Sequence, residues 1–249
     1  MNTQKPWYQQ EEFWKDLRLV LFSRERQADA ADEVNKIIRL LDPKPEAKIL
    51  DLCCGIGRHS LEFGRQGYSI TAVDRTEKYL DYARKRAKSE GLNINFVCRD
   101  MRKFRRKNHF DVILNLFSSF GFFEKEKDDR LVVQNMYQSL KIGGLIIFDL
   151  MGKEILARIF EEKDWYYVDD FKVLEERKIV ENWSRVESHW TVIKNKNITE
   201  HQISLRIYSA VEFSTLLRDA GFKQIKVYGN LDGNPYDHNA KRLVVVGKK

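Results

Sequence analysis

The chain has 249 residues, 43% of them hydrophobic and 33% charged, with a formal net charge of +7. That length accommodates one enlarged α/β domain or a domain carrying an insertion, and its apolar runs fall far short of the roughly 18 residues that span a bilayer. Three cysteines, two of them adjacent, give neither a disulfide framework nor a metal-ligand spacing. Glu11, Glu12 and Asp16 stand where a secretory signal would be apolar, so a cytoplasmic protein without membrane contact or metal is expected.

Residues 7–41 predict one or two helices, because Phe13, Leu17, Val20 and Leu21 recur at helical spacing, as do Val34, Ile37, Ile38 and Leu41. Pro43 and Pro45 end that region. Strands and helices then alternate over 47–52, 59–66, 69–73, 77–90, 94–98, 110–116, 127–139 and 144–150. Such alternation implies an α/β fold: a mostly parallel sheet with helices on both faces, binding ligands at the carboxyl ends of its strands. Asp51, Asp74, Asp100 and Asn115 all fall at such ends.

Residues 164–208 break the alternation. Four stretches rich in β-branched and aromatic residues follow one another without helices, which predicts an antiparallel insertion of three or four strands. Residues 209–221 then predict a helix with Val211, Phe213, Leu216 and Leu217 as its apolar face and Gly221 as its stop. Two last strands, 223–228 and 242–247, complete a seven-stranded main sheet. The expected organisation is a core of 1–163 and 209–249, with 1–45 as a helical lid and 164–208 as a small β cap.

The chemistry concentrates at the first strand. Asp51-Leu52-Cys53-Cys54-Gly55-Ile56-Gly57 reads as a strand end running into a glycine turn, and Asp74 closes the second strand. Glycines let a nucleoside approach the backbone, and a carboxylate after the next strand accepts from ribose hydroxyls. Gly55-Ile56-Gly57-Arg58-His59-Ser60 lacks the third glycine of a dinucleotide site. Asp51 beside a pyrophosphate would also cost about 4 kcal/mol per charge pair at 4 Å and an effective dielectric of 20. S-adenosylmethionine, which carries an ammonium and a sulfonium, suits that carboxylate better than NAD does.

These residues resemble the class I, Rossmann-like S-adenosylmethionine-dependent methyltransferases over roughly 46–150, with a weaker echo at 208–249. Asp51-x-x-Cys54-Gly55-x-Gly57 is similar to that family's first motif, with Cys53 where a glycine is usual, a departure that matters if the position needs a positive φ. Asp74 matches the acid after the second strand, Asp100-Met101 the pair at the adenine, and Asn115-Leu116-Phe117 the fourth-strand motif facing the transferred methyl. Residues 140–149 match the turn into the fifth strand. The resemblance implies S-adenosyl-L-methionine as cofactor, with Asp51, Cys53, Gly55, Gly57, Asp74, Arg75, Asp100, Met101, Asn115 and Leu116 around it.

No Ser/His/Asp arrangement is expected, since methyl transfer from a sulfonium needs positioning and exclusion of water more than a catalytic dyad. Acceptor-pocket candidates are Phe117 and Ser118 after the fourth strand and His189 and His201 in the insertion. At least one of Trp183, His189, Trp190, His201 and Arg206 is expected at that pocket. The basic run Arg99, Arg102, Lys103, Arg105, Arg106 and Lys107 raises a nucleic-acid reading, but no RNA-binding module flanks the core. The expected function is methyl transfer to a small molecule by a monomer or homodimer. The alternatives are an RNA- or protein-directed methyltransferase using 99–107, and a non-catalytic cofactor-binding protein.

Overall fold

A computed structural model describes residues 5–249. Five strands, β1 (Lys48–Leu52), β2 (Ser69–Asp74), β3 (Ile94–Cys98), β4 (Phe110–Asn115) and β5 (Leu140–Leu150), run parallel. They are joined by β10 (Lys223–Tyr228) and β11 (Leu243–Lys248) in the order β10-β11-β5-β4-β1-β2-β3, β11 lying antiparallel to both neighbours. The chain reverses direction across the sheet between β1 and β4, so a crevice opens there at the carboxyl edge. Residues 141–144 are absorbed at the start of β5, where the register with β4 shifts between Phe110 and Val112.

Before the sheet come a 3₁₀ turn (Trp7–Gln9) and helices α1 (Glu11–Leu21), α2 (Arg24–Ala28) and α3 (Ala30–Leu41). Helix α3 buries Val34, Ile37 and Leu41 against Ile49 and Ile70 of the sheet, and it stops at Asp42, whose φ is 45°. The sheet is flanked by α4 (Arg58–Arg65), α5 (Glu77–Ser89) and α6 (Glu126–Ser139). A short α7 (Lys153–Arg158) follows β5. Nothing in the sequence reading anticipated α7; six residues are too few for a helical period to register.

The insertion forms a separate antiparallel sheet of β6 (Lys163–Val168), β7 (Phe171–Val180), β8 (Arg185–Lys194) and β9 (Asn197–Arg206) in sequential order. Phe171 and Val173 of β7 and Val192 of β8 bury against Phe13, Leu17 and Val20 of α1, so this sheet packs on the N-terminal helix. It is also fastened to the loop after β4. Arg206 N donates to Gly121 O at 2.7 Å, and the Arg185 guanidinium donates to Phe123 O at 3.0 Å.

Helix α8 (Ala210–Asp219) begins with a reciprocal cap: Glu212 N donates to Ser209 Oγ and Ser209 N to the Glu212 carboxylate. Phe213, Leu216 and Leu217 are buried as the periodicity predicts, but Val211 is 75% exposed. It lies two residues before Phe213, roughly 200° around the helix and so on the face opposite the buried one. No helix among the described residues is long and apolar enough to cross a membrane.

Candidate functional site

A cavity of about 360 Å³ lies at the carboxyl edge of the main sheet. Its floor comes from the ends of β1, β2 and β4 and the turn after β3. Its walls are the N-terminal aromatics, the loop after β4 and the inner face of the insertion. The volume falls in the range of small-molecule sites.

The turn after β1 is shaped by hydrogen bonds to the neighbouring strand. Cys53 N and Cys54 N both donate to Val73 O, at 2.8 and 3.0 Å, which bends the chain away from the sheet. Cys53 adopts a φ of 68°, the left-handed region that glycine populates freely. Gly55 has a φ of 56°, and a Cβ there would lie 2.5 Å from Phe22 Cζ, so both conformation and space demand glycine. Burial, together with the nearby Asp74 and Asp51 charges, pushes the Cys53 thiol well up, and burial does the same to Cys54. Neither is an activated nucleophile.

Asp74 caps this turn. Its Oδ2 accepts from Gly55 N at 2.9 Å and its Oδ1 from Thr76 N at 2.8 Å. Burial raises its pKa against those two amides. Asp51 is 3% exposed and accepts from the Ser60 hydroxyl; burial raises its pKa too, opposed by His59, Ser60 and Arg58. Asp100 is clamped by Arg102, whose Nη2 donates to Oδ2 at 2.7 Å and whose backbone N donates to Oδ1 at 2.9 Å. Although burial works the other way, that clamp holds Asp100 below its usual value. Met101 Sδ lies 3.5 Å from Cys53 Sγ, and Arg75 donates to Tyr8 O at 2.6 Å, tying β2 to the N-terminal segment.

Asp51, Cys53, Gly55, Asp74, Arg75, Asp100, Met101, Leu116, Phe117 and Ser118 all line the cavity. Gly57 and Asn115 do not. Gly57 opens α4 with a φ of 75°. Asn115 is wholly buried beneath the floor, where its Nδ2 donates to Leu52 O at 3.1 Å and to Ser119 O at 3.2 Å, fixing the loop after β4 onto β1.

Phe117 and Ser118 have φ of 56° and 55°. Two consecutive left-handed non-glycine residues persist because the surroundings over-determine them. Ser118 N donates to Asp149 O at 2.8 Å, its Oγ accepts from Met151 N at 2.9 Å, and Phe117 N donates to Asp149 Oδ2 at 3.2 Å.

The insertion contributes Trp190, Ile203 and Leu205 to the cavity. The Trp190 indole Nε1 is buried with no hydrogen-bond partner among the described residues. The structure does not bring His189 and His201 there. They line a second hollow with Lys5, Gln10, Phe13, Glu200 and Gln202. His201 Nε2 lies 3.3 Å from Asp16 Oδ2, and His189 Nε2 lies 3.6 Å from Glu200 Oε2. The side chains of a strand alternate between faces, and Trp190 takes the inward position that its neighbour His189 cannot share. Trp183 and Arg206 also lie outside the main cavity.

Beside Arg58 and His59, which follow the glycine turn, the fold recruits Arg26, Met151 and Arg242 to the cavity, and the sequence marks none of these three. Only tertiary contacts bring them together, so no local spacing announces them. His59 Nε2 lies 2.7 Å from Glu33 Oε2, and Arg58 pairs with the same carboxylate. Despite the opposing effect of burial, these partners draw the Glu33 pKa down to about 2. The basic run is divided: Arg99 lines the cavity, Arg102 pairs with Asp100 and Asp128, and Arg105 bonds Gln138. Among the described residues no cluster of three His, Cys, Asp or Glu side chains is arranged to hold a metal ion.

A parallel sheet with its crevice between β1 and β4, a glycine turn after β1 and buried acids at successive strand ends define a nucleoside-binding α/β enzyme. Residues 49–144 match the methyltransferase domain family. In sequence the chain is 27% identical to the dTDP-3-amino-3,4,6-trideoxy-alpha-D-glucopyranose N,N-dimethyltransferase of Streptomyces venezuelae, over 82% of this chain and 84% of that one. In structure it is similar to an S-adenosylmethionine-dependent methyltransferase of Clostridium acetobutylicum, with a TM-score of 0.78, 17% identity, and 95% and 97% of the two chains covered. It is also similar to CalS10, an amino pentose methyltransferase of Micromonospora echinaspora solved with S-adenosylmethionine bound, with a TM-score of 0.66, 20% identity, and 94% and 95% covered. Residues 49–144 therefore carry a methyltransferase domain, in a fold shared with S-adenosylmethionine-dependent methyltransferases.

Proposed function

We propose that the protein transfers a methyl group from S-adenosylmethionine to a small-molecule acceptor inside the cavity between the main sheet and the inserted sheet. The observation that carries this reading is a small, walled cavity with buried acids on one side and an aromatic loop on the other. S-adenosylmethionine supplies an electrophilic methyl on a sulfonium, so the sulfur departs neutral as the acceptor's lone pair takes the methyl.

The residues at the ends of β1 to β3 fit such a cofactor. Each Asp74 oxygen takes one backbone amide and keeps a lone pair for a ribose hydroxyl. Asp51 and Gly55 form the turn over which the methionine portion would lie, and Cys53, Asp100 and Met101 would flank the adenosine. Gly57 and Asn115 would act from behind, by shaping the turn and floor. Leu116, Phe117 and Ser118 would face the acceptor, and the unpaired Trp190 indole offers it a donor. Residues 5–45 and 164–208 together would serve as the cover that keeps water from the reacting atoms, residues 1–4 of the expected lid lying outside those described. The Streptomyces relative named above acts on a nucleotide-linked amino sugar, which supports a small-molecule acceptor over a polymer.

Titration calorimetry with S-adenosylmethionine and S-adenosylhomocysteine tests the reading. Saturable binding of both, with none for NAD, is the expected result, followed by transfer of labelled methyl to a member of a small-molecule acceptor panel. Tight NAD binding, or transfer confined to RNA or protein, would overturn it.

A further inference from the structure

Resting on the methyltransferase reading, we propose that the acceptor is an anion, a carboxylate or a phosphate ester, held by Arg26 and Arg242 beside the Phe117 ring. Asp51, Asp74 and Asp100 stand at β1, β2 and the turn after β3, with Arg75 and Arg99 beside them, whereas Arg26, Arg58 and Arg242 gather on the other side of the crevice. Arg242 immediately precedes β11, while Arg26 and Arg58 pack over the Phe117 ring at 4.9 and 5.4 Å from its centroid.

The partners of these arginines do not balance them. Arg58 is paired with Glu33, a carboxylate it shares with His59, and also donates to Arg26 O at 2.8 Å. Arg242 Nε donates to Asp149 Oδ1 at 2.6 Å, and its Nη2 reaches Ser118 Oγ at 3.2 Å. Arg26 has no carboxylate within ion-pair distance among the described residues. Its Nη1 donates only to the carbonyl oxygens of Val20 and Leu21, at 2.9 and 3.2 Å. Glu25, the neighbouring acid on α2, is exposed to solvent. Burial lowers the Arg26 pKa, Tyr166 and Glu25 work the other way, and the Arg58 and Arg242 charges lower it further.

Around the Phe117 ring, Arg58 and Arg242 therefore have carboxylate partners and Arg26 has none, in a cavity walled also by Met151 and Trp190. An unbalanced positive charge away from bulk water is costly unless an anion completes it. Guanidinium donors match carboxylate and phosphate oxygens in geometry. A neutral acceptor would leave Arg26 without an anionic partner unless the cofactor's own carboxylate supplied one.

The test uses full-length protein saturated with S-adenosylhomocysteine, so that the cofactor's own carboxylate is already seated. Malonate and inorganic pyrophosphate are titrated as probes, one for a carboxylate acceptor and one for a phosphate. Saturable binding of at least one is expected, weakened at least tenfold in Arg26→Gln and in Arg242→Gln, with S-adenosylhomocysteine affinity kept within threefold. Arg26→Gln gives up two bonds to carbonyl oxygens and the contact with the Phe117 ring but no ion pair, so it tests the proposal even where Arg242→Gln unsettles Asp149.

Anion binding confined to the cofactor-free protein would assign the arginines to the cofactor carboxylate and overturn the proposal. So would equal binding by wild type and both variants, which would mark an adventitious ion only, or binding of neither probe. Failure of S-adenosylhomocysteine to bind wild-type protein is a separate outcome, read in the first titration. It would overturn the methyltransferase reading and this proposal with it.

Discussion

Replacing Asp74 by alanine removes two different things at once, and the structure separates their sizes. The carboxylate accepts from Gly55 N and Thr76 N, so its loss frees two backbone amides in the turn that forms the cavity floor. Each amide left without a partner costs about 1–3 kcal/mol when buried. Because these amides border a cavity that admits water, the lower end applies, about 2 kcal/mol for the pair. For a chain of this size that is a fall in melting temperature of roughly 4–8 °C. Sequence alone gave no reason to expect a cost to the fold. The second loss is in binding: a hydrogen bond to a charged acceptor contributes about 1.5–3 kcal/mol, which is roughly 10- to 150-fold in affinity. Calorimetry with S-adenosylhomocysteine at a temperature well below the melting transition reads the binding term alone. Unchanged affinity in Asp74→Ala would refute the ribose assignment, and an unchanged melting temperature would refute the role of Asp74 in bracing the turn.

The other predictions concern the turn and the acid limb of stability. Gly55→Ala places a methyl 2.5 Å from Phe22 Cζ at a φ of 56° and should lower stability by about 1–3 kcal/mol, whereas Gly67→Ala, with nothing within 4 Å, carries the backbone penalty alone. Equal melting shifts for the two alanine variants would remove the steric argument. Glu33, lowered from 4.5 to about 2, contributes stability that is fully present above pH 4.5 and is lost as pH falls towards 2. The shift corresponds to about 3 kcal/mol, so denaturant midpoints of wild type and Glu33→Gln should converge as pH falls from 5 to 2, and a pH-independent gap would contradict the assignment.

The main sheet was legible because its signals are local. Each strand is a short apolar run, each helix has a 3.6-residue period, and Asp51, Asp74 and Asp100 stand where strands end. The insertion was legible as strands for the same reason, but not its contacts, since nothing in Phe171 or Val192 says that their partners are Phe13 and Val20 of α1. His189 and Trp190 were equivalent in sequence, and only the register of β8 decides which one faces inward. Cys53 was readable as a departure, while the positive φ that makes it consequential is visible only in three dimensions. Arg26 and Arg242 are 216 positions apart and meet by folding alone.

The two halves of the cavity are built by different parts of the chain, and that division has a physical basis. The acids at β1 to β3 are set by the parallel sheet itself, whose register fixes Asp51 opposite Ala72 and Asp74 opposite Cys98. The opposite wall belongs to no single regular element. Phe117 and Ser118 hold left-handed conformations, costing about 1–2 kcal/mol each. Their hydrogen bonds to Asp149 and Met151 offset that cost, and the loop beyond them is pinned to the inserted sheet through Gly121 with Arg206 and Phe123 with Arg185. A substitution in β8 or β9 therefore reaches the wall at Phe117 through the Arg206–Gly121 backbone bond and the Arg185 side chain, while the Asp74 carboxylate is held by the Gly55 and Thr76 amides. The proposed acceptor side thus depends on the insertion more directly than the proposed cofactor side does. The motifs that mark the cofactor side in sequence have no counterpart on the acceptor side for that reason.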